Sequence, residues 1–284
     1  MMDSSTSSEL KIIQTPSLEQ IQTVTVLLEN QQIENPNLEL ALNYLLQHKI
    51  IPHKQGGLVA IAYTPSPNNS LDVNNIQGIM MARTRSTSVL IESCNYETAK
   101  SLLQEATQRS CPQQVCSSLQ TKNWIHPLLL QQYSPQRECE QFVMVCKQIP
   151  LGGVGRWAIS QDKPVLQAYA AAYLAERGSG SLNHPWDNWI QKRNIAVLEY
   201  ENQIVSVVRY TTTRRDALVI APFTFPQFRR RGFARKLLVF LLEELLQTYP
   251  RVRLWVNKDN AGAIALYKSL EFQIIGQCYS SYWK

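Results

Sequence analysis

The chain has 284 residues, enough for one large or two ordinary domains, and 44% of them are hydrophobic, which is enough for sizeable cores. No apolar run reaches the roughly 20 residues needed to span a bilayer. The net charge of +6 is uneven, with 18 Lys and Arg against 10 Asp and Glu in residues 151–284 and 10 against 12 in residues 1–150, so a polyanionic partner is expected at the second half.

Residues 1–9 are polar and rich in Ser and Thr, without an apolar signal core, and read as the frayed start of a cytoplasmic protein. Helical periodicity follows at 18–30 and 37–48, then strand-like runs at 57–64, 76–83 and 88–93. A helix is expected at 96–108, a strand at 114–118, a short helix at 123–132 and a strand at 140–147. His126 stands at the start of that short helix, where it reads as a capping or packing residue.

Ile149-Pro150-Leu151-Gly152-Gly153-Val154-Gly155 has the Pro/Gly punctuation of a linker. It divides the chain into an expected first domain, 1–150, and a second, 151–284. Beyond it come a helix at 163–177, strands at 195–200, 204–211 and 217–225, and a helix at 233–247. A strand at 251–256, a helix at 261–270 and a closing strand pair within 272–283 complete the chain. The order of elements repeats between the halves, which implies an internal duplication. Six cysteines, at 94, 111, 116, 139, 146 and 278, show no paired spacing and no histidine pattern, so they read as small buried hydrophobes rather than zinc ligands.

The most informative run is Phe228-Arg229-Arg230-Arg231-Gly232-Phe233-Ala234-Arg235-Lys236, between a strand and a leucine-rich helix. A turn opening a helix presents unpaired N–H groups and the positive end of the helix dipole. Arginines beside it make it a pyrophosphate site, and Gly232 lets a phosphate oxygen approach the backbone. A solvated loop or a nucleic-acid patch are the alternatives. Against nucleic acid, no aromatic platform is interleaved with the basic cluster.

Arg229-x-x-Gly232-x-Ala234, followed by Asn260, Ala263, Leu266, Tyr267 and Phe272, resembles the two signatures of the GNAT acyltransferase superfamily, over about residues 157–284. The resemblance implies an α/β fold with a mixed, strongly curved sheet flanked by helices, here duplicated in tandem. It implies acyl transfer from acetyl-CoA to a primary amine, small molecule or peptide, in a ternary complex. Backbone near Phe223 and Thr224 would meet the pantetheine arm. Arg229, Arg230, Arg231, Gly232, Phe233 and Ala234 would hold the pyrophosphate, and Asn260 would meet the pantetheine. Tyr267 would protonate the departing thiolate. A phenol at about 10 against a thiol at about 8.5 leaves full transfer uphill by roughly 2 kcal/mol, a gap a site can close.

Four positions depart from the family pattern, of which Ala234, at the last glycine position, is one the family allows. Glu271 replaces a glycine before Phe272, Thr224 replaces an aliphatic residue, and Pro222 interrupts its strand, favouring a bulge. The family's splayed strand suits that bulge. The matching stretch of the first half, Ile91-Glu92-Ser93-Cys94-Asn95-Tyr96-Glu97, lacks arginine and glycine and is acidic, so it is expected to repel a pyrophosphate and leave that half silent. No general base is readable: Glu199, Glu201 and His184 are candidates, each also an ordinary surface residue. Trp186, Trp189, Tyr279 and Tyr282 read equally as acceptor-pocket or core residues. A CoA-binding regulator without turnover remains an alternative to the enzyme.

Overall fold

The computed structural model describes residues 9–30, 35–55, 57–66, 71–83, 88–108, 111–178 and 182–284, so the polar start falls almost wholly outside it. The elements in order are β1 (Lys11–Ile13), α1 (Leu18–Asn30), α2 (Pro36–Gln47), β2 (Gly57–Tyr63), β3 (Ile76–Arg83), β4 (Ser88–Ser93) and α3 (Tyr96–Thr107). Next are β5 (Gln114–Ser118), α4 (Leu119–Leu130), β6 (Pro135–Cys146), β7 (Arg156–Trp157), α5 (Lys163–Arg177) and α6 (Trp186–Gln191). The chain closes with β8 (Ile195–Tyr200), β9 (Gln203–Thr212), β10 (Ala217–Thr224), α7 (Phe233–Leu245), β11 (Val252–Asn257), α8 (Ala261–Lys268) and β12 (Gln273–Trp283).

Two compact units result: Met1–Val143 with Gly276–Lys284, and Met144–Ile275. A cut at 150/151 assigns the last strand to the second half, whereas its end joins the first unit. There, residues 278–282 pair antiparallel with β5. The closing segment is one continuous strand rather than the expected pair.

In the first unit β1, β2, β3 and β4 form antiparallel neighbours, and β4 pairs parallel with β5. β2 is apolar throughout because both of its faces are covered. Val59 and Ile61 join α1 and α2 in one core, while Leu58, Ala60 and Ala62 join α3 and α4 in the other. In the second unit β7 to β10 are antiparallel neighbours and β10 pairs parallel with β11. The fold class is therefore α/β with a mixed sheet, and the run of antiparallel strands, parallel pair and interleaved helices occurs twice.

α4 begins one turn earlier than expected because Ser118 caps it, its Oγ accepting from Thr121 N–H at 3.2 Å. His126 consequently sits inside the helix, with Nε2 3.0 Å from Glu138 Oε1. The Gly-rich segment before β7 is not a free linker. A Cβ on Gly153 would lie 2.3 Å from the Phe240 backbone nitrogen, and Val154 N–H bonds Lys236 O at 3.1 Å. That segment packs on α7. Of the cysteines, Cys116, Cys146 and Cys278 are buried, but Cys94 and Cys111 are exposed.

Candidate active site

β10 and β11 are clamped where they start and open where they end. Buried Asp216, just before β10, receives Arg251 Nε at 2.5 Å and lies 2.7 Å from Arg253 Nε. Parallel partners are then Ala217↔Val252 and Leu218↔Arg253, and none follow. A cavity of about 350 Å³ lies along the parted strands, lined by residues 219–224 of β10, 254–256 of β11, and Tyr173, Glu176 and Arg177 of α5. Asn260, Ala263 and Tyr267 close its far side.

The parting has a local cause in the bulge. The β9–β10 register shifts between Ile220 and Phe223, where Ala221 takes a left-handed φ of 49° ahead of Pro222. An alanine there costs about 1–2 kcal/mol. The Tyr169 hydroxyl helps hold it, donating to Ala221 O at 2.8 Å. The Phe223 side chain is buried against Tyr169, Tyr173 and Phe225, so only its backbone is left for the cavity. Thr224 finds a partner that an aliphatic residue would lack: its Oγ1 lies 2.9 Å from Ser206 Oγ, which is 3.0 Å from Phe223 O.

The basic turn enters α7 through two left-handed residues, Arg230 at φ 64° and Gly232 at φ 79°. Gly232 is the residue before the helix, and no side chain caps it. The helix ladder begins with Lys236 N–H to Gly232 O at 3.1 Å, so the N–H groups of Phe233, Ala234 and Arg235 have no ladder partner. A Cβ at Gly232 would meet nothing within 4 Å, so the glycine serves the positive φ and the open approach together. The Phe233 ring is buried and stacks on Tyr200.

The arginines divide the work. Arg229 reaches back over the cavity, with Nε 2.9 Å from Thr224 O, Nη2 2.5 Å from Glu176 Oε1, and its guanidinium over the Phe223 ring. Arg231 lies over Tyr200 and Phe233. Arg230 is exposed. Glu176 is the carboxylate lining the cavity and was not foreseen; its place on the last turn of a helix gives no signal in sequence.

Tyr267 is 6% exposed, packs on Phe272 and turns toward the cavity, where its hydroxyl has no hydrogen-bond partner among the described residues. Burial pushes its pKa well above the usual tyrosine value, Tyr173 adds to that and Arg177 opposes it. The group is therefore a fixed donor at neutral pH. Asn260 caps α8 through Oδ1, which accepts from Ala263 N–H at 3.1 Å, and the cap leaves its amide NH₂ unused. Glu271 takes the left-handed φ of 61° that the missing glycine would supply, so the turn survives at a cost.

The base candidates are not assembled here. Glu199 is bound by Arg156, Glu201 sits in the β8–β9 turn, and His184 lies between Trp186 and Trp189, 4.9 Å from each ring. Trp186 belongs to the α5–α6 core. Tyr279 belongs to the first unit, buried, with its hydroxyl 2.5 Å from Glu138 Oε1.

In the first unit the corresponding place is filled. Glu92, 3% exposed, accepts from Ser118 N–H at 2.5 Å, Ser118 Oγ at 2.7 Å, Asn35 Nδ2 at 2.8 Å and Thr121 Oγ1 at 3.0 Å. Asn35 also lies 3.3 Å from Cys116 O and 3.4 Å from Ile91 O, wedged between β4 and β5. The N-terminus of α3 is capped by Asn95, whose Oδ1 accepts from Thr98 N–H at 2.9 Å. Glu92 thus points inward and bonds instead of facing the turn, while Glu97 stays exposed in the first turn of α3.

Residues 163–272 match the model of the Acetyltransferase (GNAT) family. Over 49 residues the chain is 53% identical to the ribosomal protein bS18-alanine N-acetyltransferase of Salmonella typhimurium, covering 16% of this chain and about a third (32%) of that relative. A GCN5-related N-acetyltransferase from Sphaerobacter thermophilus aligns with a TM-score of 0.65 at 15% identity, over 96% of this chain and 94% of the other. A tandem GNAT protein from the clavulanic acid biosynthesis pathway gives 0.56 at 11%, over 96% and 98%. At such identities these structures speak for the fold alone. The stretch of this chain that is similar to the GNAT acetyltransferase family is therefore residues 163–272, within its second half.

Proposed function

We propose that the protein is an N-acetyltransferase that uses acetyl-CoA and a primary amine in one ternary complex, with the second unit as the active one. The observation that carries this reading is the parting of β10 from β11 after Leu218↔Arg253, with a cavity at the parting and the Tyr267 hydroxyl unpaired beside it. The uncapped α7 N-terminus and the arginines before it would hold the pyrophosphate. Backbone at Phe223 and Thr224 and the Asn260 amide would hold the pantetheine arm.

In the transfer the amine nitrogen bonds the thioester carbon, and the C–S electron pair leaves with sulfur. The nitrogen loses a proton to water or to a base. Positioning of the reactants supplies on the order of 7–11 kcal/mol. Because burial raises the Tyr267 pKa, complete proton transfer to the thiolate is more uphill than the reference values imply. Tyr267 would act first as a hydrogen-bond donor to the developing charge, with water completing the protonation.

A screen of acetyl-CoA against amino acids, polyamines, aminoglycosides and peptide N-termini, read as free thiol, tests the reading. Release above plain hydrolysis with at least one amine is expected. Tight CoA binding with no acceptor across the panel would favour a non-catalytic CoA-binding regulator. The Salmonella relative acts on a ribosomal protein, so a peptide N-terminus belongs in that panel.

A further inference from the structure

Arg209 stands on β9 between Ile195 of β8 and Ile220 of β10. It shares the strand face of Val207, which packs against α5 and α6. Its guanidinium lies 4.4 Å from the centre of the Trp189 ring and faces the Tyr169 hydroxyl. That hydroxyl holds the Ala221 carbonyl of the bulge, and Ala221 lines the cavity. Arg209 is therefore one side chain removed from the cavity wall. Its Nε is shut off from solvent without a hydrogen-bond partner.

Arg209 makes no ion pair among the described residues. Carboxylates of the same unit are engaged elsewhere: Asp162 and Glu199 with Arg156, Glu176 with Arg229, Asp187 with Lys163, and Asp216 with Arg251 and Arg253. An arginine cannot shed its charge, so a partly buried one without a counter-ion carries an unrepaid desolvation cost. The indole face repays a part of it. A planar fork held over an aromatic ring suits a carboxylate, which it can meet with two parallel bonds.

We propose that Arg209 anchors a carboxylate on the acceptor, so that the amine to be acetylated belongs to a small amino acid rather than to a polyamine. The word acceptor rests on the acyltransferase reading above, whereas carboxylate binding itself does not require turnover.

The test uses the full ¹⁵N-labelled chain saturated with CoA, observing arginine Nε–Hε signals by NMR. The Arg209 signal is identified by its absence in Arg209→Lys. Glycine, β-alanine and 4-aminobutyrate are titrated, each beside its carboxamide, which keeps the amine and removes the charge. At least one acid should move the Arg209 signal saturably, with its carboxamide binding about tenfold or more weakly. Arg209→Lys should weaken the acid by a similar factor and leave CoA affinity unchanged. An Arg209 signal unmoved by all three acids, or moved equally by acid and amide, overturns the proposal. Saturable acid binding without thiol release would sustain the anchor and remove the acyltransferase reading. Thiol release as efficient with the amides as with the acids would do the reverse.

Discussion

In the first unit β4 and β5 stay paired through Leu90↔Cys116, and beyond that point Glu92 and Asn35 bind across the strand ends. In the second unit β10 and β11 part after Leu218↔Arg253, and a cavity lined by Tyr267 and Arg229 lies there. The two helices that follow differ in the same sense. α3 is capped by Asn95, whereas no side chain caps α7. One run of elements thus yields a closed seam in one unit and an open slot in the other. The comparison teaches that a ligand slot of this kind depends on polar groups left unsatisfied. Where side chains of the chain itself take up the strand ends and cap the helix N-terminus, fewer donors remain for a cofactor.

Replacing Tyr267 with Phe should have the largest effect, because it removes the donor from the open slot while keeping the ring. Turnover should fall by roughly ten- to a thousandfold, with CoA affinity unchanged by calorimetry. Since burial raises the Tyr267 pKa, kcat should show no loss from this group as pH rises to about 10. Unchanged single-turnover rates in Tyr267→Phe would reduce the residue to packing.

The closed seam can be challenged at Glu92. Glu92→Ala strands the Ser118 N–H and the Asn35 amide and should cost about 2–3 kcal/mol in urea unfolding. CoA stoichiometry should nevertheless stay near one per chain, because Asn95 still caps α3. A second CoA of comparable affinity would break the contrast between the units.

The same residue gives a pH test. Burial raises the Glu92 pKa above its ordinary 4.5, outweighing the bonds from Ser118, Asn35 and Thr121 that lower it. A raised carboxyl contributes stability that is full below the unfolded pKa and is lost as pH rises through the folded one. Wild type should therefore gain on Glu92→Gln as pH falls from 7 toward 4.5, as read by paired urea titrations. A gap that is constant or narrows on acidification would contradict the direction of the shift.

The open slot can be narrowed at Gly232. Its φ of 79° costs a residue with a Cβ about 1–2 kcal/mol, although the space for a methyl group is free. Gly232→Ala should weaken CoA by about tenfold. The bulkier Gly232→Val should weaken it further while the rest of the unit stays folded. The smallest effect is expected of Asn95→Gly, which uncaps α3 at a cost of a few tenths of a kcal/mol and should bring no CoA binding to the first unit.

Much of this architecture was legible in the residues. α5, β8, β3, β4 and β5 lie where periodicity placed them, because each has a strong pattern and a clear stop. The start of α7 was legible at Gly232, the glycine before a leucine-rich stripe. Short elements with few residues of pattern, β1, β7 and α6, were not legible. Nor was the earlier start of α4, since Ser118 reads as a strand residue until its side chain is seen to cap.

By itself the sequence determined the α/β class, the duplicated order of elements and the glycine turn that opens α7, all of which rest on local spacing and backbone preference. Tertiary structure decided what was made of them. It placed the last strand beside β5 and turned Glu92 inward to four donors. It also brought Glu176 to Arg229, and it left Arg209 under an indole without a counter-charge. The physical reason is that a charged or polar side chain takes its role from partners distant in sequence, and burial rather than spacing sets its energy.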